Sequence, residues 1–234
     1  MNPLKAAVDY LLGGPKVGGA QEARLALWRD LPEDDLRRPH REARYVVVDT
    51  ETTGLDLKRD RVIAIGAAAV RAGRHALSDC FETILRQDRA SPDANILIHG
   101  IGGQTQLAGV DPRAGMIDYL EYIGKAPLVA FRAEFDAAML ERALKAIVGY
   151  PLRRTWIDLA FLLPALFPGT ECRTLDDWLG HFGLGGGERH QAVADALATA
   201  QLLQIALVAA DRAAMGSPAA LVAMQKAQRW LGKR

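Results

Sequence analysis

Residues 45–54 read YVVVDTETTG. Tyr45 to Val48 is an unbroken aromatic and β-branched run, the pattern of a central strand covered on both faces. Asp49 and Glu51 then close it with two carboxylates. Residues i and i+2 of a strand project to the same side, so the two acids face one way. Two carboxylates about 4 Å apart repel by roughly 4 kcal/mol at an effective dielectric of 20. A shared cation removes that repulsion. A solvated turn after the strand, built by Thr52, Thr53 and Gly54, does the same. On this stretch alone the two readings stand level.

Working outward, RVIAIGAAAV (61–70) and HALSDCFETIL (75–85) are joined through Arg71 to Arg74 and read as a hairpin pair. Pro112 to Ile123 is predicted helical, PLVAF (127–131) a fourth strand, Ala133 to Val148 an amphipathic helix, and 153–158 a short fifth strand. Three further helices are expected near 159–167, 174–182 and 191–210. Antiparallel strands followed by strands alternating with helices indicate an α/β domain with a mixed sheet.

Residues 1–43 read as a helical N-terminal extension and linker, with helical spacing over Leu4 to Leu12 and Gln21 to Trp28. The glycines between them lack the spacing of a phosphate-binding loop and read as a linker. Residues 211–234 form a C-terminal amphipathic helix opened by Ser217-Pro218. Its Leu221, Met224, Ala227 and Leu231 share one face, so it is read as packed on the domain. A basic flap over substrate, or a partner-docking helix, is the alternative.

The 234 residues are half hydrophobic and 24% charged, with a net charge of +1. That balance suits a soluble globular protein and carries no global field for nucleic acid or membrane. A local cleft or bound metal ions can still supply positive charge. Cys80 and Cys172 stand far apart, outside any CxxC, so neither a disulfide framework nor a cysteine zinc site is expected. The first residues read as a helix rather than a signal peptide, and the uncharged runs as too short or too polar to span a bilayer. No membrane partner and a cytoplasmic location are expected.

Two further acids weigh on the opening stretch. Asp136 heads the helix whose Leu140, Ala143, Leu144 and Ile147 form the apolar stripe, so its carboxylate faces the sheet. A helix-dipole role is the alternative. Asp195 is the sole charged residue between Gln191 and Ala210, on a stripe with Ala198, Thr199, Leu202 and Ala206. A lone carboxylate in an apolar helix calls for metal or for a distant base. His190 precedes that helix from the loop GLGGGERH. Four acids without a cysteine cluster describe a hard-cation site for Mg²⁺ or Mn²⁺. Two such ions about 3.5–4 Å apart are a known means of cleaving phosphodiesters. His190 suits a general base, since an unperturbed imidazole has a pKa of about 6.5.

These motifs resemble the DEDDh group of 3′–5′ exonucleases, the family of the proofreading subunit of bacterial replicative DNA polymerase. VVVDTETTGLD supplies Asp49 and Glu51, LVAFRAEFDAAML supplies Asp136, and HQAVADALATAQLL supplies His190 and Asp195. ILIHGI (96–101) and TLDDWLGHFGL (174–184) also read like this family, and the resemblance runs from about 44 to 209. It implies a ribonuclease H-like five-stranded mixed sheet flanked by helices, with the exonuclease domain over 44–210. It further implies two divalent ions, Mg²⁺ or Mn²⁺, on Asp49, Glu51, Asp136 and Asp195, with His190 activating the water. Thr52, Gly54 and Leu55 would meet the terminal nucleotide, although core packing is an alternative for Leu55. Phe131-Arg132 stands where many relatives have His-Asn, so Arg132 becomes a candidate phosphate contact or a plain surface residue.

The resulting expectation is a metal-dependent 3′–5′ exonuclease that releases nucleoside 5′-monophosphates from the 3′ end of single-stranded DNA. The alternatives are an exoribonuclease with the same site, or a binding module on this fold. A polymerase or other protein partner would engage the termini.

Overall fold

The computed structural model of the chain describes residues 17–184 and 191–231. At its centre is β1 (Arg44–Thr52), followed by β2 (Val62–Arg71) and β3 (Arg74–Ile84). These three pair antiparallel in register, Val48 opposite Ala67 and Ala67 opposite Phe81. The β2–β3 connection is tight because Ala72 and Gly73 both take positive φ, 50° and 70°, which matches the right-handed twist of the flanking strands. Two short strands, β4 (Leu128–Ala130) and β5 (Trp156–Asp158), add in parallel on the other side of β1. The sheet order is β3-β2-β1-β4-β5. This is the five-stranded mixed sheet of the ribonuclease H-like class.

Nine helices are described: α1 (Val17–Asp30), α2 (Asp93–His99), α3 (Gly103–Leu107), α4 (Pro112–Ile123), α5 (Glu134–Ile147), α6 (Leu159–Leu166), α7 (Leu175–His181), α8 (Ala192–Arg212) and α9 (Pro218–Leu231). The alternation along β1 divides them into two layers. Tyr45 and Val47 pack with α6, α7, α8 and Leu221 of α9. Val46 and Val48 pack with α4, α5 and the Leu25 and Trp28 side chains of α1. Side-chain caps set several starts. Asp111 accepts the Ala114 amide ahead of Pro112, and Thr174 with Asp177 forms a reciprocal capping box.

Two differences from the sequence reading matter for the site. First, β1 does not end at Val48: Asp49 pairs with Gly66 and Glu51 with Ala64. Both acids belong to the ladder, which removes the solvated-turn reading, because backbone pairing continues whatever the side chains. Second, α2 and α3 were not anticipated. At seven and five residues they are too short to print a helical period.

The expected helix over Leu4 to Leu12 lies outside the described residues. The next one, α1, is docked on the core. Trp28 donates from Nε1 to the Gly124 carbonyl at 3.0 Å, Arg24 pairs with Asp118 at 2.6 Å, and the Lys125 ammonium lies 3.8 Å from the Trp28 ring centroid. By length and composition α8 is apolar enough to cross a membrane, yet half of its most apolar window is buried inside the molecule. It packs on β1, β2 and β3 as a core helix. Burying its Leu202 and Leu203 contributes about 1.5–3 kcal/mol each.

Candidate active site

The carboxyl ends of β1, β4 and β5 lie side by side because these three strands run parallel. Ligand crevices of open α/β sheets form at such ends. Strand alternation turns Asp49 and Glu51, like Tyr45 and Val47, toward the α8 layer. Asp195 meets them there from the first turn of α8. Carboxylate oxygens of Asp49, Glu51 and Asp195 all lie within 4.8 Å of one another.

A glycine makes that approach possible. Gly66 sits opposite Asp49 in the ladder, and a Cβ there would fall 2.0 Å from the Ala192 carbonyl carbon. The first turn of α8 therefore rests on bare β2 backbone, which brings Asp195 down onto β1. A bulge between Glu51 and Thr52 ends the regular pairing beside the cluster.

Asp136 is on the other side of the sheet and is not one of the group of three. It is 6% exposed in the first turn of α5, facing the sheet as its helical stripe predicts. The Thr50 hydroxyl donates to its Oδ1 at 2.7 Å, from the face of β1 opposite Asp49 and Glu51. Its charge still reaches the cluster. The Glu51 carboxyl is pushed up to about 7, by burial first and then by the negative charges of Asp195 and Asp136. Burial also raises the Asp136 carboxyl, against the Thr50 hydrogen bond that lowers it. Three carboxylates this close, one of them reluctant to ionise, are a donor set that fits a hard divalent cation. His190 lies outside the described residues.

The candidate substrate residues line the same end. Thr52 is buried, and its hydroxyl donates to the Gly54 carbonyl at 2.7 Å, which shapes the turn. Asp60 holds that turn from below: Oδ1 accepts the Thr53 hydroxyl and Oδ2 the Asp56 amide, both at 2.8 Å. A Cβ on Gly54 would lie 2.5 Å from Asp60 Oδ2, so a side chain there would displace the carboxylate that holds the turn. Leu55 is 84% exposed, which removes the core-packing alternative for it. Arg132 is exposed at the end of β4, with its backbone in the left-handed region at φ 63°.

Sequence reasoning missed Asp158, which ends β5 at 1% exposure and caps α6 through the Ala160 amide. The signal was present: WID is a short apolar strand closing on an acid, as VVVD is. It also missed Gly66, although a lone glycine inside an apolar strand marks a close backbone approach.

Fold and site together define an exonuclease-class hydrolase on a ribonuclease H-like sheet. The exonuclease family model, RNase T, matches residues 46–203, and the chain belongs to that family. The DNA polymerase III subunit epsilon of Treponema pallidum is 32% identical over 161 residues, covering 67% of this chain and 73% of that protein. The PolC-type DNA polymerase III of Clostridium perfringens is 31% identical over 165 residues, 68% of this chain. The chain spans only 11% of that much longer relative. Among solved structures, Escherichia coli Exonuclease I in complex with a dA16 oligonucleotide superposes with a TM-score of 0.64 at 17% identity, over 73% of this chain and 42% of that one. Exonuclease X in complex with 5′ overhanging duplex DNA gives 0.60 at 21% identity, over 76% and 99%. At these identities the structural likeness concerns the fold.

Proposed function

We propose that the chain is a metal-dependent 3′–5′ exonuclease that removes nucleoside 5′-monophosphates from the 3′ end of single-stranded DNA. The observation that carries this reading is the convergence of Asp49, Glu51 and Asp195 within 4.8 Å, in a chain of the exonuclease family. Asp49, Glu51 and Asp195 would hold divalent ions, Mg²⁺ or Mn²⁺, with Asp136 completing the set from the α5 side. Such ions, when bound, supply Lewis acidity and a water nucleophile usable at neutral pH.

The protein's own groups divide the remaining work. His190, two residues ahead of α8 in the sequence, is assigned the general base, accepting the proton of the attacking water. The exposed Leu55 would lie against the terminal base, with the Thr52–Gly54 turn along its sugar and phosphate. Arg132 would make a charge-assisted contact to a phosphate oxygen. DNA is favoured as substrate by the likeness to polymerase-associated proteins and by the DNA-bound structural neighbours. Residues 44–210 would carry the chemistry.

The test uses 5′-labelled single strands of DNA and RNA with Mg²⁺, with Mn²⁺ and with chelator, beside Asp49→Ala. A metal-dependent ladder shortening from the 3′ end, faster on DNA and absent in the variant, is the expected result. A faster RNA ladder would make the chain an exoribonuclease. No ladder on either polymer would leave a binding module and overturn the proposal.

A further inference from the structure

The C-terminal helix reaches the same end of the sheet as the acids. Asp158 Oδ1 accepts the Arg132 amide at 2.9 Å and the Ala160 amide at 3.0 Å. The Asp158 amide in turn donates to Gln225 Oε1 at 2.7 Å. Arg229 Nη2 lies 3.5 Å from Asp158 Oδ2, and its guanidinium lies 4.8 Å from the Phe161 ring centroid. Gln225 and Arg229 are four residues apart and so share one face of α9. Two side chains of one helix thus grip one buried residue, and that residue grips the turn between β4 and α5.

The turn needs holding. A non-glycine residue in the left-handed region costs about 1–2 kcal/mol, and such conformations persist where the surroundings over-determine them. Arg132 is that residue, at φ 63°. Four residues further on stands Asp136, in the first turn of α5. The gripping helix, Pro218–Leu231, lies beyond the residues that the family model matches, 46–203.

We infer that Asp158, clamped by Gln225 and Arg229, is a positioning residue that fixes the Arg132 turn and the start of α5, which makes the C-terminal helix part of the active site's rigid frame. This rests on the exonuclease reading above. Asp158 is not one of the group of three acids; it holds the start of α5 through the Arg132 amide, and its charge also bears on Asp136.

The experiment compares the full chain with Arg229→Met, Arg229→Lys, Asp158→Asn and the Asp158→Asn/Arg229→Met double variant. Hydrogen exchange at the Arg132 amide, kcat and KM on single-stranded DNA, and the urea midpoint are measured. In R229M the amide should exchange about tenfold faster and kcat should fall about tenfold, the scale of a small misplacement near reacting groups. KM and the urea midpoint should stay near wild type, and R229K should recover most of the loss. R229M should add nothing further in the D158N background. An unchanged Arg132 amide and kcat in R229M, or independent effects in the double variant, would overturn the clamp. If R229M unfolds, Asp158→Ala, which removes the Oδ1 acceptor that asparagine would keep, must loosen the Arg132 amide, and failure to do so overturns it equally. A wild type inactive on DNA and RNA, with the amide still loosened in R229M, would refute the exonuclease reading while supporting the clamp.

Discussion

Gly66 stands opposite Asp49 in the β1–β2 ladder, and the backbone of Ala192 rests on its bare face. That contact sets the height of α8 over the sheet, and with it the distance from Asp195 to Asp49 and Glu51. Gly66→Ala puts a Cβ 2.0 Å from the Ala192 carbonyl carbon, against backbone that has no rotamer to yield. Overpacking of this kind costs about 1–3 kcal/mol. Shifting Asp195 by even 1 Å should cut turnover about 100-fold. Urea unfolding and single-turnover cleavage check the two effects. A variant with full activity would show that α8 does not set the site.

The Glu51 carboxyl gives the metal-free protein a stability slope. An unfolded glutamate ionises near pH 4.3. In the fold Glu51 keeps its proton to about 7, by burial first and then by Asp195 and Asp136. Between those values the native state binds more protons than the unfolded state, so stability falls as pH rises through the window and levels above it. Asp136 is raised as well and contributes with the same sign. Glu51→Gln should match wild type near pH 4, exceed it at pH 8, and show a shallower slope between. Mn²⁺ should raise the wild-type Tm more at pH 8 than at pH 5. Thermal melts in chelator across this range check it, and a wild-type slope of opposite sign would contradict the electrostatic account.

Arg132 combines a strained backbone with an exposed side chain. Arg132→Gly should therefore gain up to about 1–2 kcal/mol from relief of the left-handed conformation, less the cost of a more flexible unfolded chain. On the proposed reading, the same change removes one phosphate contact. KM on single-stranded DNA should rise severalfold, and the salt dependence of log K should flatten by about 0.7. Arg132→Lys should keep the slope. Binding isotherms at several salt concentrations decide; an unchanged slope in R132G would return Arg132 to the plain surface.

Much of this architecture was legible in particular residues. The apolar run at Tyr45, the stripe behind Asp136 and the lone charge between Gln191 and Ala210 marked three elements that the structure contains. Other features were not legible, for definable reasons. Whether Asp49 and Glu51 sat in the ladder or in a loop depended on pairing with Gly66 and Ala64, a long-range fact. Asp136 shares the α5 stripe as expected, but its hydroxyl partner, Thr50, points to the opposite face of β1 from Asp49 and Glu51. Which acids meet oxygen to oxygen therefore follows from three-dimensional packing, not spacing. The Asp158 clamp joins residues up to 71 apart, Arg229 to Asp158, and no local period announces such a contact.

On the proposed reading, Asp49, Glu51 and Asp195 stand together because they share divalent cations. The most direct test is calorimetric titration of Mn²⁺ into the full chain and into Asp195→Asn, at pH 8 and without nucleic acid. Asparagine keeps the volume of the side chain and removes its charge. The account predicts saturable binding to wild type, at least tenfold weaker in D195N, with the D195N Tm in chelator no lower than wild type. Equal affinity in the two proteins, or no binding to either, would contradict it.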